Sequence, residues 1–249
     1  NMLKKGDQKL INAWAFYDWA NSVYSLVIST AVFPLYYSAI AEGKVVTFLW
    51  IEWDHPDSLY SYALSFSFLV VAFISPILSG IADYTGSKKK FMKFFCWLGA
   101  LSVMSLYFFE GVDTVWIGIL FTILASIGFW ASLVFYNAYL PEVAHPEQQD
   151  AAIAKSFMYG YFGSVLLLIL NLLMIQKPDW FGISTGMASR ISFVLVGLWW
   201  IGFAQITFRR LPNDIFHTKP KKNYIWKVVL FKKFVEDLAV SLFYPGMET

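Results

Sequence analysis

An all-α membrane protein with six transmembrane helices is the fold class this sequence predicts, and three observations carry it. Of its 249 residues, 58% are hydrophobic, 20% aromatic and 14% charged, whereas a soluble domain carries about a quarter charged residues. The apolar residues gather into six nearly charge-free runs, each near the roughly 20 residues a helix needs to cross about 30 Å of hydrocarbon. Lysine and arginine concentrate between alternate runs, the distribution expected when basic loops stay on the cytoplasmic side. A lipid-spanning barrel needs short alternating strands, and these runs are continuous.

The first span is expected near residues 11–40, behind Lys4, Lys5 and Lys9. A cleaved signal peptide is the rival reading, but the run is about twice the usual h-region length and contains Asp18 and Asn21. The second span is expected at 59–82 and the third at 91–109, with Lys88, Lys89, Lys90 and Lys93 at their junction. The fourth (115–140) and fifth (156–176) flank Lys155, and the sixth (188–208) ends on Arg209 and Arg210. Lys44, Lys177 and Arg190 fall on the other side, among Glu42, Glu52, Asp54, Asp57, Glu110, Asp113 and Asp179. Both termini are therefore expected in the cytoplasm, in an inner or plasma membrane. Residues 1–210 form the six-helix domain in this reading.

Residues 211–249 read as a cytoplasmic linker. It includes a surface helix whose apolar face is Val228, Phe231, Val235, Leu238 and Leu242, with Lys232, Lys233 and Glu236 elsewhere. The start, Asn1 before Met2, and the end in "PGMET" resemble an incomplete or altered reading frame.

Enzymatic chemistry is not expected. Cys96 is a single cysteine, and His55, His145 and His217 have no ligand spacing around them, so neither disulfide nor metal is indicated. Nucleophile, base and metal ligands occur at no recognisable spacing. No Gly-rich phosphate cradle is present, and neither a cofactor nor a nucleic-acid partner is expected.

An ionisable residue inside a span is costly in lipid and faces protein or water. Asp18 is the acid of this kind, about 10 Å into the first helix at 1.5 Å per residue. At 100° per residue, Asp18, Asn21, Ser22, Ser25 and Ser29 share one face, extended by Trp14 and Tyr36. That stripe reads as a water-filled pathway or as close helix packing through small residues. Asp18 itself reads as a proton site, as a partner for a substrate ammonium, or as a carboxylate held permanently by its neighbours. Tyr17, Tyr24, Tyr136 and Asn137 are further lining candidates. On the fourth span Ser126, Trp130 and Asn137 share a face that Leu133 interrupts. Ser156, Gly160 and Ser164 form a small-residue stripe on the fifth, and Asn171 reads as an interhelical hydrogen bond. Residues 140–155, with Glu142, Glu147 and Asp150, read as a solvated surface segment.

The stretch "SGIADYTGSKKK", Ser79 to Lys90, places an acid at the membrane boundary inside a tight basic loop. It resembles the loop signature between the second and third helices of the major facilitator superfamily. Ser79 stands at the first glycine position, Asp83 at the acid, Gly86 at the second glycine and Lys88 at a basic position. Ser79, Tyr84 and Ser87 depart from the pattern, leaving Lys88, Lys89 and Lys90 as substitutes for its basic residues. "WAFYDWANSVYSLVISTAVFPLYY", "FYNAYLPEV" and "SFMYGYFGSVLLL" look like the branch holding the fungal vacuolar amino-acid effluxers linked to autophagy and their bacterial relatives.

The resemblance implies the N-terminal half of a major facilitator fold, two inverted three-helix repeats with the first and fourth helices lining the path. It implies a secondary transporter moving a small solute, such as amino acids outward with proton coupling, by rocker-switch alternating access. The loop of Ser79, Asp83, Gly86, Lys88 and Lys89 is implied to latch one conformation. The substrate site normally forms between two six-helix halves, so a missing C-terminal half or a second copy is the implied partner beside lipid. Asp83 and the small stripe of the fifth helix are then expected to face partners outside this chain. The rival readings are a six-helix self-assembling channel, with conductance as its mark, and a non-transporting scaffold.

Overall fold

The computed structural model describes residues 4–212, with the side chains of Ile81, Asp83, Tyr84 and Thr85 outside that description. The expected surface helix and most of the 211–249 linker also lie outside the described residues.

Six helices long and apolar enough to cross a membrane run over Gln8–Ala41, Pro56–Gly80, Lys88–Phe108, Val112–Val143, Pro146–Gln176 and Thr185–Arg210. The protein is an integral, multi-pass membrane protein. Each of these helices overlaps one of the charge-free runs, and all six begin before the run does. The reason is local capping. Pro56 and Pro146 occupy first-turn positions, where a missing N–H is no loss. Asp7 caps the first helix by accepting the Lys9 amide at 2.9 Å, and Ser184 caps the sixth by accepting from Met187 at 3.2 Å. Asp7→Ala is expected to cost about 1 kcal/mol of stability, read as a lower midpoint of thermal unfolding in detergent.

The first span is not a uniform α-helix. Tyr24–Val32 is π-helical, and the Thr30 hydroxyl bonds back to the Ser25 carbonyl at 2.9 Å. Pro34, two residues beyond that stretch, has no amide with which to close an α-turn, so the ladder is already interrupted there. A wider i→i+5 turn rotates everything beyond Tyr24 relative to a regular wheel.

The extensively packed pairs are first with fifth, second with fourth, third with fourth, first with sixth, and third with sixth. Exchanging first with fourth, second with fifth and third with sixth maps this set onto itself. That is the packing symmetry of two inverted three-helix repeats, and the architecture is that of a major facilitator half. Glycines set the tightest crossings. A Cβ on Gly128 would fall 2.4 Å from the Gly99 amide nitrogen, and one on Gly99 2.3 Å from the Trp200 ring. On the other side of the third span, a Cβ on Gly197 would lie 2.2 Å from Met104 and 2.7 Å from the Ala100 carbonyl oxygen. The third helix is thus gripped by the fourth and sixth.

Polar ties close the two ends of the bundle. At one end Gly6 N–H donates to the Val143 carbonyl at 2.9 Å, Lys155 donates to Asn12 at 2.8 Å, and Lys89 donates to the Leu211 carbonyl at 2.7 Å. The described chain therefore enters and leaves at the same end. Lys88 pairs there with Glu142 at 2.7 Å. Of the acids in the 140–155 segment, Glu147 and Asp150 are exposed as expected, whereas Glu142 departs from the solvated reading, its side chain only 8% exposed. At the opposite end Arg190 pairs with Glu110 and stacks over Tyr107. A two-stranded hairpin, Val46–Phe48 with Ile51–Trp53, follows the first span there. Its turn residues Leu49 and Trp50 both have positive φ.

Candidate functional site

A cleft of about 590 Å³ opens between the first, fourth and fifth spans, within the size range of small-molecule sites. The first span contributes Trp14, Asp18, Ser22, Ser25, Leu26 and Thr30. Trp14, Asp18, Ser22, Leu26 and Thr30 recur every four residues, and up to Val23 this is one face of an α-helix. Across the π-helical stretch the wider turn keeps that spacing on the groove, so that Thr30 rather than Ser29 continues the wall.

Asp18 lies where three helices meet. It is 8% exposed, with Ser156 of the fifth span beside its carboxylate and Tyr136 of the fourth close by. The close approach of first and fifth spans depends on Gly160, whose Cβ would stand 2.6 Å from the Ser22 hydroxyl and 3.4 Å from Asp18 Cβ. Gly163 repeats the device one turn on, against the Trp19 carbonyl at 2.9 Å. Trp14 forms one wall. Its indole N–H donates to the Tyr136 carbonyl at 2.9 Å, and the two rings stack at 4.5 Å and 9°. Phe157 and Tyr161 of the fifth span form the opposite rim, 65% and 75% exposed.

Of the residues singled out from sequence, the structure brings Asp18, Ser22, Ser25, Tyr136 and Asn137 together around this cleft. Asn21, Ser29, Tyr17 and Tyr24 stand outside its lining. Asn21 is 1% exposed, turned into the bundle, with neither amide atom hydrogen-bonded among the described residues. Tyr17 is fully buried and its hydroxyl bonds Ser132 at 3.1 Å. Tyr24 packs between Phe129 and Trp200. On the fourth span, Ser126 accepts from Ser67 of the second at 2.7 Å, while Leu133, the residue that interrupts the polar face, lines the cleft.

The stripe of Ser156, Gly160 and Ser164 both packs on the first span and lines the cleft. Its partner lies within this chain, which corrects the expectation of an outside one. Asn171, expected in an interhelical bond, is buried with neither amide atom partnered among the described residues. In the basic loop Gly86 adopts φ 66° and ends the second helix, a left-handed turn that glycine adopts without strain. Asp83 lies one helical turn before that end, its side chain outside the described residues. Ser79 is half-buried on the same helix. Lys88 and Lys89 hold Glu142 and the Leu211 carbonyl.

The structure also adds Thr30, Phe157 and Tyr161 to the wall. The four-residue recurrence of Ser156, Gly160 and Ser164 was a signal for the fifth helix, whereas the π-turn left none for Thr30.

Comparison with known proteins agrees with this architecture. The profile of the family described as "vacuole effluxer Atg22 like" matches residues 6–155 and 147–238. The chain is 36% identical over 192 residues, 76% of its length, to the uncharacterized MFS-type transporter YxiO of Bacillus subtilis, of which it covers 43%. It is 35% identical over 95 residues, 37% of its length, to autophagy-related protein 22 of Chaetomium globosum, of which it covers 14%. With autophagy-related protein 22-1 of Penicillium rubens it shares 31% identity over 123 residues, 47% of this chain and 20% of that protein. The chain thus spans less than half the length of these curated relatives. No solved structure matches it.

Proposed function

We propose that this chain, which belongs to the Atg22-like vacuole effluxer family, forms one wall of a secondary transporter that moves a small solute, in the first instance amino acids outward, by alternating access. The observation that supports this most is the cleft itself. A carboxylate, hydroxyls and aromatic rings from three helices line one groove. The first and fourth spans, equivalent under the repeat symmetry, both contribute to it, as a pathway at a repeat interface requires.

One wall does not enclose a solute. Phe157 and Tyr161 stand exposed at the rim, and the chain covers 43% of its Bacillus subtilis relative. A second six-helix half, or a second copy of this chain, would complete the path. The loop of Ser79, Asp83, Gly86, Lys88 and Lys89 would then latch one of the two rocking states, with Asp83 set against a helix end of the other half.

The test is uptake into proteoliposomes containing this chain together with the C-terminal half of the Bacillus subtilis relative, under an imposed pH gradient. Saturable, gradient-dependent movement of radiolabelled amino acids is the expected result. Unsaturable flux with single-channel conductance would replace the transporter reading with a channel. Absence of any flux from a correctly folded pair would leave the chain a scaffold.

A further inference from the structure

We propose that the cleft is a half-site for a protonated amine, with Asp18 as its counter-charge, and that this wall takes no part in recognising a substrate carboxylate. The proposal rests on the transport reading above and narrows it to a substrate class.

The charge balance of the cleft is one-sided. Asp18 is the one Asp, Glu, Lys, Arg or His among the lining residues. Lys155 adjoins Ser156 in sequence, but its ammonium is bonded to Asn12. Among the described residues no basic side chain forms an ion pair with Asp18; the described ion pairs join Lys88 to Glu142 and Arg190 to Glu110. A carboxylate sequestered in an apolar bundle needs a cation, a proton or water. A proton would neutralise Asp18 but has no use for a groove of about 590 Å³ with aromatic sides.

The walls favour the cation. Phe157 and Tyr161, 65% and 75% exposed, present their rings to the groove that Asp18 lines. Ring faces attract an ammonium and repel a carboxylate. An anion entering this wall meets the Asp18 charge and the negative ring faces, with no arginine or lysine to receive it. An amino acid would therefore be held here by its ammonium end, its carboxylate left to water or to the completing half.

The test is isothermal titration calorimetry on the purified 249-residue chain in detergent at pH 7, with three ligands of one shape: phenethylamine, phenylalanine and 3-phenylpropionate. Phenethylamine is expected to bind at least as tightly as phenylalanine, and 3-phenylpropionate at least about tenfold more weakly. Asp18→Asn is expected to weaken phenethylamine binding by about tenfold or more, with Asp18→Glu recovering part of it. The ligand series needs no variant, so misfolding of Asp18→Asn would not shelter the proposal. Equal binding of amine and acid, unchanged amine binding by Asp18→Asn, or no binding of any of the three would overturn it. None of these results touches the transport reading, which the uptake experiment decides and which an anionic or neutral solute would equally satisfy.

Discussion

Gly128→Ala is expected to destabilise this protein by about 3 kcal/mol, and Gly128→Val to leave no folded protein to purify. A Cβ at this position would lie 2.4 Å from the Gly99 nitrogen, 2.5 Å from Gly99 Cα and 2.7 Å from the Phe95 carbonyl oxygen. All three are backbone atoms of the third helix, so no side chain can rotate away and the helices themselves must separate. Overpacking a well-packed interior costs about 1–3 kcal/mol, and a crossing whose neighbour is rigid backbone belongs at the top of that range. In lipid the attraction lost is mainly the dispersion that close backbone approach provides. Gly202 supplies the contrast. Nothing lies within 4 Å of its Cβ position, so Gly202→Ala should gain roughly 0.5–1 kcal/mol from helix propensity alone. Thermal unfolding of both variants in detergent checks the pair; a Gly128→Ala protein as stable as the parent would refute the crossing geometry.

In the proposed uptake assay, Asp18→Asn is expected to lower uptake about a hundredfold without harming the fold. A buried carboxylate facing a cationic ligand contributes about 3 kcal/mol when its partner is present, which is about a hundredfold in rate at limiting substrate. Its loss from the apo protein has the opposite effect, since a sequestered charge with no ion-pair partner is a cost to folding. The expected outcome is uptake reduced about a hundredfold together with a thermal midpoint that is unchanged or higher. Asp18→Glu should retain a measurable fraction of uptake. If Asp18→Asn instead lowers the midpoint and leaves uptake intact, the carboxylate is a structural hydrogen-bond acceptor and the pathway reading of the cleft fails.

The cleft was partly legible in the sequence. Asp18 and Ser22 follow helical periodicity where the first span is still regular, and Ser25, just inside the π-helical stretch, stays on the same wall. Asn21 lies within the same arc on a wheel yet turns into the bundle, because packing against the fifth and sixth helices selects which edge of a polar arc meets the groove. Ser29 gives way to Thr30 where the π-turn adds a residue. On the fourth span Ser126 is bonded to Ser67, a partner 59 residues away that no local pattern reveals. The fifth helix shows that one signal can carry two roles: Ser156, Gly160 and Ser164 let the first helix approach and, by doing so, become part of the cleft it forms.

By itself the sequence determined that there are six spans and where each lies, along with the family. Insertion into lipid depends on the apolar content of each segment, a local quantity that needs no partner. The tertiary structure alone decided which polar groups share one cleft, that Glu142 is buried on Lys88, and that the third helix is clamped by Gly99, Gly128 and Gly197. Those outcomes depend on the rotation of each helix about its axis and on its closest approach to a neighbour. A π-turn and a few missing Cβ atoms set both, and neither registers in hydropathy.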